Sequence, residues 1–114
     1  MQSNNYFSED YLFLKRKDKW ERVAVELILF FEIEANHIKV VAKDSQYVLT
    51  MTFSKLEEML QGNTFLRIHR KFIVNLSEMT GLDLENRYAL VGDYKIPIGR
   101  TKKAELLSRI KRLY

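Results

Sequence analysis

Apolar residues along this chain come in short runs, and most of the runs alternate with polar positions instead of recurring at helical spacing. Residues 11–14, 20–25, 27–34, 38–42 and 46–52 read as successive strands. Polar breaks at Lys17-Asp18-Lys19, Ala35-Asn36-His37 and Lys43-Asp44-Ser45 separate them. In 65–75, Leu66 and Ile68 fall on one face of a strand and Phe65, Arg67 and His69 on the other. The pattern breaks at Arg70-Lys71, which predicts a turn before a second strand at 72–74. Glu85-Asn86 predicts a two-residue hairpin between 79–84 and 87–91, and Gly92-Asp93 a further tight turn before 94–98. Pro97 has no amide donor, so its strand is expected at a sheet edge or to end there.

Only two stretches carry helical spacing. In 53–60, Leu56, Met59 and Leu60 share a side, and Ser54 and Glu57 have capping-box spacing. In 104–113, Ala104, Leu107 and Ile110 recur at three-residue steps, with Leu106 and Leu113 nearby. Nine or ten short strands, one short internal helix and one C-terminal helix favour a mainly antiparallel β fold over a parallel α/β sheet. Leu12, Leu14, Leu29, Phe31, Val40, Leu49, Leu66, Ile68, Ile73 and Leu84 are the expected core.

With 114 residues and 46% hydrophobic content, the chain makes one domain, placed at 11–114 behind a polar tail or linker at 1–10. The absence of cysteine rules out disulfides and thiolate metal sites and fits a reducing compartment, so a cytoplasmic protein is expected. The apolar-rich run 23–33 contains Glu26 and Glu32 and is far shorter than a membrane span. Charge is uneven: residues 1–60 balance to −2 and residues 61–114 to +6. Basicity gathered in one half points to an anionic partner.

Candidate chemistry is sparse. There are two histidines and no nucleophile-elbow, phosphate-loop or zinc-protease motif, so no enzyme, metal site or cofactor is expected. Three basic or hydrogen-bonding clusters sit where strands break: Asn36-His37 with Lys39, His69-Arg70-Lys71, and Arg100-Thr101-Lys102-Lys103. Arg bonds guanine bidentately, Asn pairs with adenine, and Lys, Thr and His reach bases or phosphates. The rival reading is a protein-interaction module whose basic loops hold an acidic partner and whose open edge near Pro97 accepts a strand. A weaker third reading places the basic C-terminal helix on an anionic membrane. No heptad pattern marks a dimer, so a monomer is expected.

The stretch 65–75, FLRIHRKFIVN, resembles the signature of the LytTR family of bacterial DNA-binding domains, F-x-R-x-H-R-S-x-x-V-N. Ile96-Pro97-Ile98-Gly99-Arg100 resembles the family's later I-P-V-S-R, and 33–40 resembles its I-E-A loop and following strand. Lys71 and Gly99 depart from the usual serines, and the loop at 35–37 is tightened. The resemblance implies an elongated antiparallel β-sandwich that binds double-stranded DNA at repeated half-sites, as the output domain of a response regulator or similar transcription regulator. Its loops would enter successive major grooves and the duplex would bend toward the protein. By the same resemblance, bases are contacted from the 36–37 loop, from Arg70 beside His69, and from Arg100. Phosphates fall to Lys71, Thr101, Lys102 and Lys103, and a sensor or receiver partner is implied.

Overall fold

Alternation becomes pairing in ten strands: β1 (Tyr11–Arg16), β2 (Lys19–Ala24), β3 (Ile28–Glu34), β4 (His37–Ala42), β5 (Gln46–Leu49), β6 (Phe65–His69), β7 (Phe72–Asn75), β8 (Met79–Asp83), β9 (Tyr88–Val91) and β10 (Tyr94–Pro97). Two helices complete the fold, α1 (Phe53–Met59) and α2 (Lys103–Leu113). The structure is a computed structural model that describes residues 11–60, 62 and 64–113, the last three by backbone alone. The expected tail at 1–10 lies outside the described residues. Seven strands form one sheet in the order β2-β1-β5-β4-β3-β7-β6, and three form a second, β10-β9-β8. Every pairing is antiparallel. The molecule measures 42 × 29 × 24 Å, so the expected elongated, mainly β architecture is found.

The large sheet separates two cores. Leu12, Leu14, Phe31, Val40, Phe65 and Ile73 bury on one face, closed by Phe53 and Leu56 of α1. Their chain neighbours Phe30, Val41, Leu66 and Val74 bury on the other, against Ala89, Val91 and Ile96 of the small sheet and Leu106 of α2. Strands β3, β7 and β6 are therefore buried on both faces, which is why 65–68 and 72–75 contain so few polar residues. Asn75 is the buried polar exception. Its amide donates to the Ile28 carbonyl at 2.8 Å and its Oδ1 accepts from Ser77 N at 2.9 Å, so both ends are satisfied.

Several expectations are corrected. Between the expected strands 20–25 and 27–34, a 3-10 turn, Val25–Leu27, takes Val25 and Leu27 out of the strands and swings the chain from β2 into β3. Thr52, not Ser54, caps α1, its hydroxyl accepting from Lys55 N at 3.1 Å. The turn after β8 is four residues, 84–87, not the two of Glu85-Asn86, since Asp83 pairs with Tyr88. Asp83 fills it by accepting from the Asn86 amide N at 3.0 Å and side chain at 2.9 Å. These bonds, the backbone one foremost, hold the Asp83 carboxyl below its ordinary value. Leu84 lies in that turn and Leu49 is the last residue of β5, so both are half-buried, not core.

The capping assignment is testable by denaturation. Thr52→Ala leaves the Lys55 amide unpartnered and is expected to cost about 1 kcal/mol. Ser54→Ala, on an exposed first-turn residue, is expected to stay within about 0.5 kcal/mol. Equal losses in urea unfolding would restore the capping box at Ser54.

Candidate nucleic-acid interface

The sheet brings the three clusters to one end. Glu34 pairs with His37, so the β3–β4 turn is only Ala35-Asn36, and Ala35 takes φ 47° to close it. His37 and Lys39 therefore belong to β4 and not to the loop. Beside this turn, β3 pairs with β7, and Ile33 N donates to the Lys71 carbonyl at 3.0 Å. The Arg70-Lys71 turn thus lies next to Ala35-Asn36, the turn centres two strand spacings apart, about 10 Å. On the far side of β6, Gly99 N donates to the Ile68 carbonyl at 2.7 Å, which pins the Arg100 loop against the same turn. Lys102 N returns to the Gly99 carbonyl at 3.0 Å, and Leu106 N to the Lys102 carbonyl at 3.0 Å, so Arg100 projects from a turn fixed at both ends. A shallow groove runs between the two, lined by Arg67, His69, Arg70, Gly99, Arg100 and Lys102.

Arg67 was not singled out as a site residue from the sequence, yet it builds the turn. Its guanidinium stacks 5.0 Å from the Phe53 ring centre and bonds Glu57 of α1 at 3.1 Å. Its Nη2 donates to the Arg70 carbonyl at 2.6 Å, while its buried Nε finds no partner among the described residues. The signal was present: Arg67 alternates onto the face of Phe65, which is a core face, where a cation needs an anion. His69 is held as tightly. Its Nδ1 accepts the Lys71 backbone N–H at 3.1 Å, and since that amide is an obligate donor, the imidazole proton sits on Nε2. Burial and then the neighbouring charges of Arg70, Lys71 and Arg67 push His69 below its ordinary value, so it is neutral at pH 7. Phe72 meets the His69 ring edge-on at 5.7 Å.

The cations differ in what they face. Lys39 lies 3.4 Å from Glu32 and 3.6 Å from Glu34, and His37 3.4 Å from Glu34. Burial lowers the Lys39 ammonium, but the two carboxylates outweigh it and hold it above its ordinary value. Arg70, Lys71, Arg100 and Lys103 are exposed and Lys102 half-buried, and no carboxylate pairs with any of them among the described residues. Thr101 and Asn36 are exposed beside them.

Rigid turns that gather cations without carboxylate partners among the described residues make this end of the β domain electropositive. The family model for the LytTr DNA-binding domain matches residues 18–111, and the chain belongs to that family. It is 28% identical over 96 residues to the heme-containing CO-sensing transcriptional regulator RcoM 2 of Paraburkholderia xenovorans (strain LB400), covering 80% of this chain and 36% of that protein. It is 30% identical over 83 residues to the sensory transduction protein LytT of Bacillus subtilis (strain 168), covering 69% of this chain and 34% of that one. The chain spans about a third of the length of these relatives. The solved LytTr DNA-binding domain of a Bacillus cereus response regulator shares the fold, with a TM-score of 0.81, 19% identity, and coverage of 90% of this chain and 98% of that one. The family is a DNA-binding domain and not a catalytic one. No helix among the described residues is long and apolar enough to cross a membrane.

Two predictions follow from the turn. Arg67→Ala removes the donor to the Arg70 carbonyl and the partner of Glu57, and is expected to cost about 1–3 kcal/mol in urea unfolding. Arg70→Ala, at an exposed position three residues on, is expected within about 0.5 kcal/mol. His69 titrates near 6.5 when unfolded and lower when folded, so the unfolded chain takes up the proton first as pH falls. Its stability contribution is complete above about pH 6.5 and is lost below it, toward the folded value. Unfolding midpoints at pH 7.5 and 5.5 should differ more for the parent than for His69→Gln, and equal differences would contradict the assignment.

Proposed function

We propose that this chain is the DNA-reading module of a transcription regulator and that it binds duplex DNA through the three turns at one end of its large sheet. The observation that carries the reading is the main-chain tie of the Arg70-Lys71 turn to Ile33 on one side and of Ile68 to Gly99 on the other. Turns fixed in this way aim side chains without a further ordering cost on binding. Arg70 and Arg100 take base edges in the major groove, with Asn36 and His37 on the opposite flank. Lys71, Thr101, Lys102 and Lys103 take phosphates. Lys39 acts differently from a free cation: it neutralises Glu32 and Glu34, which would otherwise repel the backbone beside Asn36. The neutral His69 keeps its Nε2–H as a single donor. Engaging both flanks at once draws the duplex toward the protein, so a bent complex is part of the proposal. One monomer occupies each half-site, and neighbouring half-sites lie about one helical turn apart. A sensor or receiver domain supplies the signal.

The membrane reading loses its support, because the apolar side of α2 is spent on the second core: Leu106 is fully buried and Ile110 packs beside it. The protein-interaction reading of the basic turns remains the rival and is separated by the same experiment. Arg70→Ala and Arg100→Ala are each expected to weaken cognate duplex binding by about 1–3 kcal/mol and to relax preference at one position. Lys102→Ala and Lys103→Ala should weaken all duplexes alike and lower the salt slope by about one unit each. Mobility shifts on a selected and a scrambled duplex at several salt concentrations read both. Equal losses on the two duplexes for the arginine variants would remove direct readout. Parental binding by all four would remove the interface.

A further inference from the structure

The peptide that joins Arg70 to Lys71 is bound at both polar ends by side chains. Its carbonyl accepts from Arg67 Nη2 at 2.6 Å, and its N–H donates to His69 Nδ1 at 3.1 Å. Arg67 and His69 both stand on β6, and the register of β6 on β7 shifts between them. An irregularity of this kind interrupts the ladder just before the turn and re-aims the side chains that follow it. The two side-chain bonds take over what the ladder no longer fixes. They hold the plane of that peptide, and with it the direction in which the Arg70 side chain leaves the turn.

Arg67 is itself braced from outside the turn. Its Nη1 bonds Glu57 of α1 at 3.1 Å, and its guanidinium lies 5.0 Å from the ring centre of Phe53, also on α1. The side chain lines two grooves, one holding Arg70 and Arg100 and the other lying between α1, β6 and α2. Three demands thus meet on one planar group: a carboxylate at one nitrogen, a carbonyl at another, and an aromatic ring beneath. Lysine offers a single point charge and cannot meet all three at once. An apolar side chain at this core-side position would leave no Nε buried and unpartnered among the described residues, so what arginine adds is the tie to the turn.

We propose that Arg67, braced by Glu57, is the positioning residue for Arg70, so that discrimination between DNA sequences depends on α1, an element that carries none of the three basic clusters. The proposal rests on the DNA-reading role given above and adds to it the residue that aims the reader. A guanidinium reads a base edge bidentately only in a narrow geometry, whereas a phosphate contact tolerates a loose one. Loosening Arg67 therefore costs sequence preference more than it costs affinity for DNA in general. Charge alone gives the opposite sign for Glu57. Removing a carboxylate one guanidinium away from the turn would, by electrostatics, strengthen binding to every duplex.

The test is a set of mobility shifts on a duplex selected from a random pool and a scrambled duplex of the same composition, run below the unfolding midpoint of every variant. Arg67→Lys is expected to weaken the selected duplex about tenfold and the scrambled duplex far less. Glu57→Ala, at an exposed helix position where a surface pair contributes little stability, is expected to lower the selected-to-scrambled ratio in the same direction and to a smaller extent. Arg67→Lys combined with Arg70→Ala should discriminate no worse than Arg70→Ala alone, since the first acts through the second. Parental discrimination by either Arg67→Lys or Glu57→Ala overturns the proposal. So do equal losses on the two duplexes or additive losses in the double variant, which would make Arg67 a DNA contact of its own. Tighter binding of both duplexes by Glu57→Ala would reduce that residue to its charge and also overturn the proposal. A parent that binds both duplexes alike, or an Arg70→Ala variant that discriminates like the parent, overturns the reading of Arg70 itself and this proposal with it.

Discussion

One short turn, Arg70-Lys71, sets where everything chemically useful stands. Four bonds hold it: Arg67 to the Arg70 carbonyl, Lys71 N to His69 Nδ1, Ile33 N to the Lys71 carbonyl, and Gly99 N to the Ile68 carbonyl just before it. Only one of these lies in an ordinary β6–β7 hairpin sense; the others arrive from β3, from the loop after β10 and from an arginine side chain. An Arg-Lys turn of this kind would otherwise splay, because its two charges repel. Fixing the carbonyls, not the charged tips, removes that freedom while leaving both tips in solvent. A Cβ placed on Gly99 would meet only ordinary contacts, the nearest at 3.5 Å from the Ile68 carbonyl, so a serine there is sterically acceptable and the close approach does not itself require glycine.

The clamp depends in turn on burying β3, β7 and β6 on both faces. A row of edge-on aromatic contacts runs from Tyr94 to Phe30 at 5.1 Å, Phe30 to Phe72 at 5.9 Å and Phe72 to His69 at 5.7 Å. It ties the small sheet through the large one to the turn. Such pairs add to area burial and also fix relative orientation. The small sheet therefore places Ile98 and Gly99, and through them Arg100. Among the described residues the second core does not extend over β1, β2 and β5, whose outer faces carry Lys15, Arg22 and Phe13.

What was legible in the sequence was whatever a break in pattern announces. Arg70-Lys71, Gly92-Asp93 and Lys17-Asp18 interrupt apolar alternation and are turns; Pro97 sits on β10, which among the described residues has only β9 beside it. What was illegible depended on partners distant in the chain or on backbone angles. Ala35, Lys17 and Arg87 take φ between 47° and 60° without being glycine or asparagine, so side-chain identity gave no warning. The turn length after β8 followed Asp83, whose carboxylate rewards a four-residue loop more than Asn86 rewards a two-residue one. Ser54 was the expected cap, but the extended backbone of Thr52, set by the exit from β5, makes Thr52 the cap instead. The candidate clusters were legible by composition, but their convergence on one end rests on the pairing of β3 with β7, residues some forty positions apart.

The same distance explains the electrostatics. Read as totals, the acidic first half and basic second half look like a net imbalance. In the fold, four of the first half's acids are paired: Glu21 with Arg16, Glu32 and Glu34 with Lys39 and His37, Glu57 with Arg67. Two of the second half's acids are engaged away from the turns, Glu78 with Lys43 and Asp83 within its own loop. Exposed pairs of this kind contribute little stability. Their consequence is positional: Glu32, Glu34 and Glu57 are matched before a ligand arrives, while Arg70, Lys71, Arg100 and Lys103 have no carboxylate partner among the described residues. In the proposed DNA complex, a polyanion approaching that end would meet cations whose release from water is opposed by no partner among the described residues, so the sorting of charge matters more there than net charge.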